Sequence, residues 1–131
     1  MRRYAAFDPP EYQGWTADEG LLVAFRERFE SDPDRQRVVE KLGSPELLSL
    51  YRGMLRFRLH DIMLQRWVKQ GVISKAWLGT GEEAVTVGPV HALNRDLDLA
   101  APMIRNAGAC CEMGMPVADM LRGYLGTADS P

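Results

Sequence analysis

Apolar side chains recur at helical spacing through the middle of the chain, from Ser44 to Gln70. Ser44-Pro45-Glu46 opens this segment with a cap residue, a proline in the first turn and an acid near the positive end of the helix dipole. Two apolar stripes follow it: Leu48, Tyr51, Leu55, Leu59 and Ile62, and Leu47, Leu50, Met54 and Phe57. Two stripes predict a central helix that is buried on more than one side and ends at Gly71.

The same helix carries a line of polar residues at steps of three and four: Arg58, Asp61, Gln65 and Lys69. This line predicts a face in contact with solvent, and a subunit contact is the alternative. Arg58 and Asp61 are spaced so that they can pair across one helical turn.

Two shorter helices are predicted before this segment. Thr16-Ala17-Asp18-Glu19 has the capping-box pattern, and the helix that follows would bury Leu21, Leu22, Ala24 and Phe25. Ser31-Asp32-Pro33 indicates a second start, and Gly43 the end of that helix. Residues 1–15 are predicted to form an extended arm.

After the central helix, Gly79-Thr80-Gly81 predicts a tight bend and Glu82 the start of a helix that reaches Leu93. Pro89 is expected to kink or break that helix. Residues 99–102 are a candidate short strand. Further helices are predicted from Gly108 to Met113 and from Pro116 to Gly126. The chain is therefore mostly α, with five or six helices and at most two short strands.

Composition excludes several classes of protein. The chain has 131 residues, of which 46% are hydrophobic and 26% charged, so it should fold as one ordinary domain. A net charge of -2 argues against nucleic acid as the main ligand. No apolar run is long enough to span a membrane, and the amino terminus lacks the apolar region of a signal peptide. Cys110 and Cys111 fit two packing residues in a reducing, cytoplasmic setting better than a redox or metal site.

Few residues suggest chemistry by themselves. The sequence has no phosphate-binding glycine loop, nucleophile elbow or zinc motif. His60 and His91 fit structural roles better than proton transfer. Glu82 and Glu83 are adjacent, so a helix turns them apart, and they fit a helix start better than a carboxylate pair. Arg105 follows the candidate strand, where its planar guanidinium would suit a phosphate if it is not an ordinary surface arginine.

From Ser44 onward an ordered series of motifs matches one family. The series comprises Leu50 to Arg58 with Asp61, Gln70-Gly71, Gly81 to Ala84, Val87-Gly88, Ala92-Leu93, Pro102, Arg105 to Gly108, Met113 to Pro116 and Leu125-Gly126. The chain thereby resembles the α subunit of the thiamine diphosphate-dependent 2-oxo acid dehydrogenases, the decarboxylating components of the pyruvate, branched-chain 2-oxo acid and acetoin dehydrogenase complexes. The match extends over about 80 residues in the family's order and spacing.

The resemblance implies an α/β fold that binds thiamine diphosphate and magnesium between an α and a β subunit. It implies decarboxylation of a 2-oxo acid with transfer of the acyl group to lipoamide. The implied partners are a β subunit, a second α subunit and a lipoyl-bearing acyltransferase. Arg105 matches the arginine that contacts the diphosphate, and Ile104 stands where relatives usually have a tyrosine. The substrate-facing stretch corresponds to Lys75, Ala76 and Trp77.

The family's Gly-Asp-Gly motif, which binds metal and diphosphate, does not occur in this sequence. The chain is therefore expected to be the first part of an α subunit or one half of a split one, needing the rest of that subunit to bind the cofactor. Residues 1–43 would form an arm with short helices, and residues 44–131 the start of the cofactor domain. The alternatives are a non-catalytic interaction module derived from this family and an unrelated helical adaptor.

Overall fold

The computed structural model describes residues 18–130, and within them it contains six helices and no strand. The helices are α1 (Glu19–Glu30), α2 (Pro33–Lys41), α3 (Ser44–Lys69), α4 (Glu83–His91), α5 (Ala107–Glu112) and α6 (Val117–Leu125). The prediction of a mostly helical chain is confirmed. The arm at residues 1–15 and the cap at Thr16 lie outside the described residues.

The strand prediction at residues 99–102 is wrong. The chain is irregular there, and Leu99 is 96% exposed. A strand needs a neighbour to pair its backbone groups, and residues 18–130 supply none. The helix that contains Pro89 is not broken at the proline and ends two residues later, at His91.

The described chain divides into two units, residues 18–48 and residues 49–130. In the first unit, both helices begin at an aspartate cap: Asp18 Oδ1 accepts the Leu21 amide at 3.2 Å, and Asp32 Oδ1 accepts the Arg35 amide at 3.0 Å. Neither α1 nor α2 contains a buried residue. The predicted burial of Leu21, Leu22, Ala24 and Phe25 is therefore wrong.

The second unit has a small core made by α3, α4 and α5. Phe57, Val87 and Ala107 are buried together, and Leu50, Met54 and Met120 pack against them. Leu50, Met54 and Phe57 of one predicted stripe therefore face the core, whereas Leu47 of the same stripe is 44% exposed. The other predicted stripe is not buried, because its members Leu48, Tyr51, Leu55 and Leu59 are exposed. In the described structure, α3 is covered on one side only.

Glycines let the backbone approach the Phe57 ring closely. A methyl group at Gly108 would come within 2.6 Å of Phe57 Cδ1, and one at Gly79 within 2.5 Å of Phe57 Cζ. The ring thus lies between the bend before α4 and the first turn of α5. Gly81, with φ of +97°, completes the predicted bend in a conformation that favours glycine.

No helix within residues 18–130 is long and apolar enough to cross a membrane.

Candidate functional site

Arg105 lies in a turn just before α5, and an acidic residue at the start of α4 holds its side chain. Arg105 Nη2 is 3.1 Å from Glu82 Oε1, and the arginine side chain remains 45% exposed. Asn106 Nδ2 donates to Glu82 Oε2 at 3.1 Å and to Thr86 Oγ1 at 3.2 Å. The Glu82 carboxylate therefore orients Arg105 and ties the 104–106 turn to α4, and enough of the guanidinium is free to meet an anion.

Ile104, the second predicted cofactor-binding residue, is 69% exposed. It does not belong to the core. Its side chain lies at the edge of a cavity of about 310 Å³ whose walls are mostly apolar and include His60, Met120 and Tyr124. Ile104 and Arg105 thus offer neighbouring apolar and cationic surfaces.

Asp61 is buried, so its predicted place on a solvent-exposed face is wrong. Its side chain is 1% exposed, and Oδ2 accepts hydrogen bonds from the Gly79 amide at 2.8 Å and from Thr80 Oγ1 at 3.0 Å. Oδ1 lies 3.2 Å from His60 Nδ1. A buried carboxylate needs such partners, and these fix the bend before α4 to α3.

His60 is buried beside Asp61, as expected of a structural histidine. Its Nε2 has no hydrogen-bond partner within residues 18–130. Its ring centroid lies 6.3 Å from that of Tyr124, whose hydroxyl donates to the Trp77 carbonyl at 3.3 Å. Burial, reinforced by the charge of Asp61, raises the pKa of Tyr124. The phenol therefore stays protonated at neutral pH and serves as a donor.

Arg58 pairs with Glu83 rather than with Asp61. Arg58 Nε donates to Glu83 Oε1 at 2.6 Å, and the Gly81 amide lies 3.1 Å from each oxygen of that carboxylate. Burial alone would raise the pKa of Glu83, but these hydrogen bonds and the arginine charge hold it below its ordinary value. Glu83 is therefore an ionised structural residue at neutral pH, which agrees with its predicted role at a helix start.

The remaining histidine and the cysteines also have structural surroundings. His91 Nδ1 lies 3.0 Å from Glu112 Oε2, and Glu112 is buried against Gly53. Cys111 is buried, and burial raises the pKa of its thiol more than the nearby Arg56 lowers it. Within residues 18–130, no group of histidine, cysteine, aspartate and glutamate side chains could hold a metal ion.

The segment predicted to face the substrate is a connector between α3 and α4. Lys75 Nζ lies 5.8 Å from the centroid of the Trp77 ring, and Trp77 is exposed. This cation–π contact joins Lys75 and Trp77, the first and last residues of the stretch that was predicted to face the substrate.

Sequence reasoning proposed Arg105 as a site residue but did not predict the contacts that orient its side chain. Asn106 stood only in a matched motif, and Glu82 was assigned to a helix start. The adjacency of Arg105 to a residue with an amide side chain, one position before a helix, was a usable signal. The partner of both, Glu82, lies more than 20 residues earlier, so spacing alone could not reveal it.

Comparison with known proteins shows distant and partial similarity. The chain is similar to the α subunit of a 2-oxo acid dehydrogenase, at the level of a partial match. The relative is the 2-oxoisovalerate dehydrogenase subunit alpha of Bacillus subtilis (strain 168), which is 33% identical over 89 residues. The match covers 67% of this chain and 27% of the relative, so the chain matches about a quarter of that subunit's length. No protein-family model and no solved structure matches the chain.

Proposed function

We propose that this chain forms the amino-terminal helical part of the α subunit of a thiamine diphosphate-dependent 2-oxo acid dehydrogenase. The reaction would be oxidative decarboxylation of a 2-oxo acid, with the acyl group passed to lipoamide. The observation that carries the proposal is the 33% identity over 89 residues to an α subunit of such an enzyme. The helical content and the exposed position of Arg105 support it.

In this proposal, Arg105 binds the diphosphate of the cofactor. An exposed guanidinium presents a planar fork of donors that fits phosphate oxygens, and Glu82 fixes its direction before the anion arrives. Ile104, next to it, would supply an apolar contact and no hydrogen bond, unlike a tyrosine at that position.

The described residues fit the diphosphate but not the magnesium ion. Arg105 provides a cationic contact, whereas no described set of acidic side chains could coordinate a metal. When bound, thiamine diphosphate supplies the electron sink for decarboxylation. The metal ligands would come from the remaining part of the α subunit, in the same polypeptide or in another one.

The partners in this proposal are a β subunit, a second α subunit and a lipoyl-bearing acyltransferase. The exposed stripe of α3 supports an assembly, because a continuous row of large apolar side chains in contact with water is unusual for a protein that acts alone. The stripe comprises Leu48, Tyr51, Leu55 and Leu59.

The test is to co-express the full chain with a β subunit and an α-subunit segment that carries the Gly-Asp-Gly motif. In that complex, Arg105→Ala should weaken thiamine diphosphate binding by about 1–3 kcal/mol, or roughly 5- to 150-fold, because a charge-assisted hydrogen bond is lost. Arg105→Lys should recover only part of the affinity, since a point charge replaces a fork. Calorimetry measures both, and Arg26→Ala, an exposed arginine of α1, is the matched control.

Unchanged cofactor affinity in an active Arg105→Ala complex would exclude the assigned role of Arg105. A complex that binds the cofactor and decarboxylates equally well without this chain would instead support the second candidate, a non-catalytic interaction module. The pairing of Arg105 with Glu82 favours that candidate, because the arginine is already partly neutralised.

A further inference from the structure

Three arginines line a second cavity, separate from the Arg105 turn. This cavity has a volume of about 490 Å³ and lies beside α3, the start of α6 and the segment after α4. Arg52 and Arg56 come from α3 and Arg95 from the segment after α4. Such a volume lies within the range of sites for small molecules.

These three guanidinium groups lack the acidic partners that five other arginines have. Arg35, Arg37, Arg58, Arg105 and Arg122 each form an ion pair. Within residues 18–130, no ion pair is found for Arg52, Arg56 or Arg95. Arg52 and Arg56 are also one helical turn apart, a spacing at which like charges repel. The folded chain therefore gathers positive charge here without balancing it.

One acidic residue lines the cavity, and it is already engaged. Glu112 is buried, and its Oε2 lies 3.0 Å from His91 Nδ1. Three arginines and one carboxylate therefore line the cavity, which keeps a net positive charge. The concave shape concentrates this field, because the protein walls exclude part of the screening solvent.

The backbone adds donors at the same place. Pro116 and Val117, at the amino terminus of α6, line the cavity, and this nine-residue helix has no side-chain cap. Its first amides and the positive end of its dipole are therefore available to an anion. Ser49, one turn before Arg52 on the same face of α3, contributes a hydroxyl.

We propose that this cavity binds a small anion with at least two negative charges, built from phosphate or carboxylate groups. Arg52 and Arg56 would hold one side of the anion and Arg95 the other, with Ser49 as a further donor. Guanidinium forks suit both kinds of group, so the shared chemistry is a compact polyanion.

The experiment titrates the full chain with inorganic phosphate and, separately, with citrate, and follows backbone amide resonances at constant ionic strength. We expect saturable shifts at Gly53, Gly114 and Val117. Arg95→Gln and Arg56→Gln should each weaken binding at least 10-fold. Arg26→Gln, on α1, and Arg105→Ala, at the proposed diphosphate contact, should leave it unchanged. Circular dichroism verifies that each variant is folded.

A preference for phosphate would assign the site to phosphate esters, and a preference for citrate to polycarboxylates; either supports the proposal. Two results would overturn the proposal. One is that neither anion shows saturable binding. The other is that Arg26→Gln loses as much anion affinity as Arg56→Gln and Arg95→Gln, which would mean non-specific attraction. Because Arg105→Ala is included, failure here is distinguishable from failure of the proposed cofactor contact.

Discussion

Residues 18–48 and residues 49–130 reach helical structure by different means. In the first region, α1 and α2 contain no buried residue, and each begins at an aspartate that accepts an amide hydrogen bond. In the second, Phe57, Val87 and Ala107 form a core to which three helices contribute. Local signals in the sequence therefore stabilise the helices of the first region, whereas contacts between distant segments stabilise the second region.

The polar interactions show the same contrast. The ion pairs of the first region join residues three apart on one helix, such as Asp34 and Arg37. The second region also contains pairs between residues far apart in sequence, such as Arg58 and Glu83, whose side chains are 27% and 14% exposed. Both candidate sites lie in the second region, where distant segments bring charged groups together beside cavities.

The largest expected effect on the free energy of unfolding comes from removal of the core aromatic ring. Phe57→Ala should lower the free energy of unfolding by about 3–5 kcal/mol, because the ring is 1% exposed and the flanking glycines cannot fill the space it leaves. Phe25→Ala, at a ring that is 57% exposed in α1, should change it by less than about 0.5 kcal/mol. Urea denaturation followed by circular dichroism measures both.

Similar losses in the two phenylalanine variants would contradict the contrast between the regions, since they would mean that α1 is held by burial after all. A loss confined to Phe57→Ala would confirm that the cooperative core belongs to residues 49–130.

The sequence predicts where the helices lie better than which faces they bury. Ser44 as the start of α3 and Gly126 as the end of α6 were both predicted, because caps and glycine stops act within a few residues. The burial of Asp61 was not predicted, because its partner Gly79 lies 18 residues away in the sequence. Periodicity defines the faces of a helix, but only the neighbouring elements decide which face is covered.

The Arg58–Glu83 pair gives the next largest expected effect. Glu83→Gln should lower the free energy of unfolding by about 1–2 kcal/mol at neutral pH, because it replaces the carboxylate that accepts from the Arg58 guanidinium with an uncharged amide. Since folding lowers the pKa of Glu83, its charge stabilises the protein above the ordinary value of 4.5. That stabilisation is lost as the pH falls through the folded value. The difference between wild type and Glu83→Gln should therefore shrink below pH 4.5.

The matched control is the exposed pair of the first region. Arg37→Gln breaks a pair whose side chains are 70% and 86% exposed, so it should change the free energy of unfolding by no more than about 0.5 kcal/mol. Chemical denaturation at several pH values compares the two variants. A difference for Glu83→Gln that persisted unchanged at pH 3 would show that packing rather than charge explains its effect.

The smallest expected effect concerns the cap of α2, and it tests whether local hydrogen bonds stabilise the helices of the first region. Asp32 Oδ1 accepts the Arg35 amide at 3.0 Å, and Pro33 follows at the first helical position. Asp32→Ala removes the acceptor and should destabilise α2 by about 1 kcal/mol, which is a large share of the stability of a helix without buried side chains. Asp32→Asn keeps an acceptor and should have little effect.

Hydrogen exchange of the amides in residues 33–41 measures this local loss directly, and core amides near Phe57 should exchange as before. If the core amides lost protection to the same extent, α2 would unfold together with residues 49–130 and the two regions would be one cooperative unit.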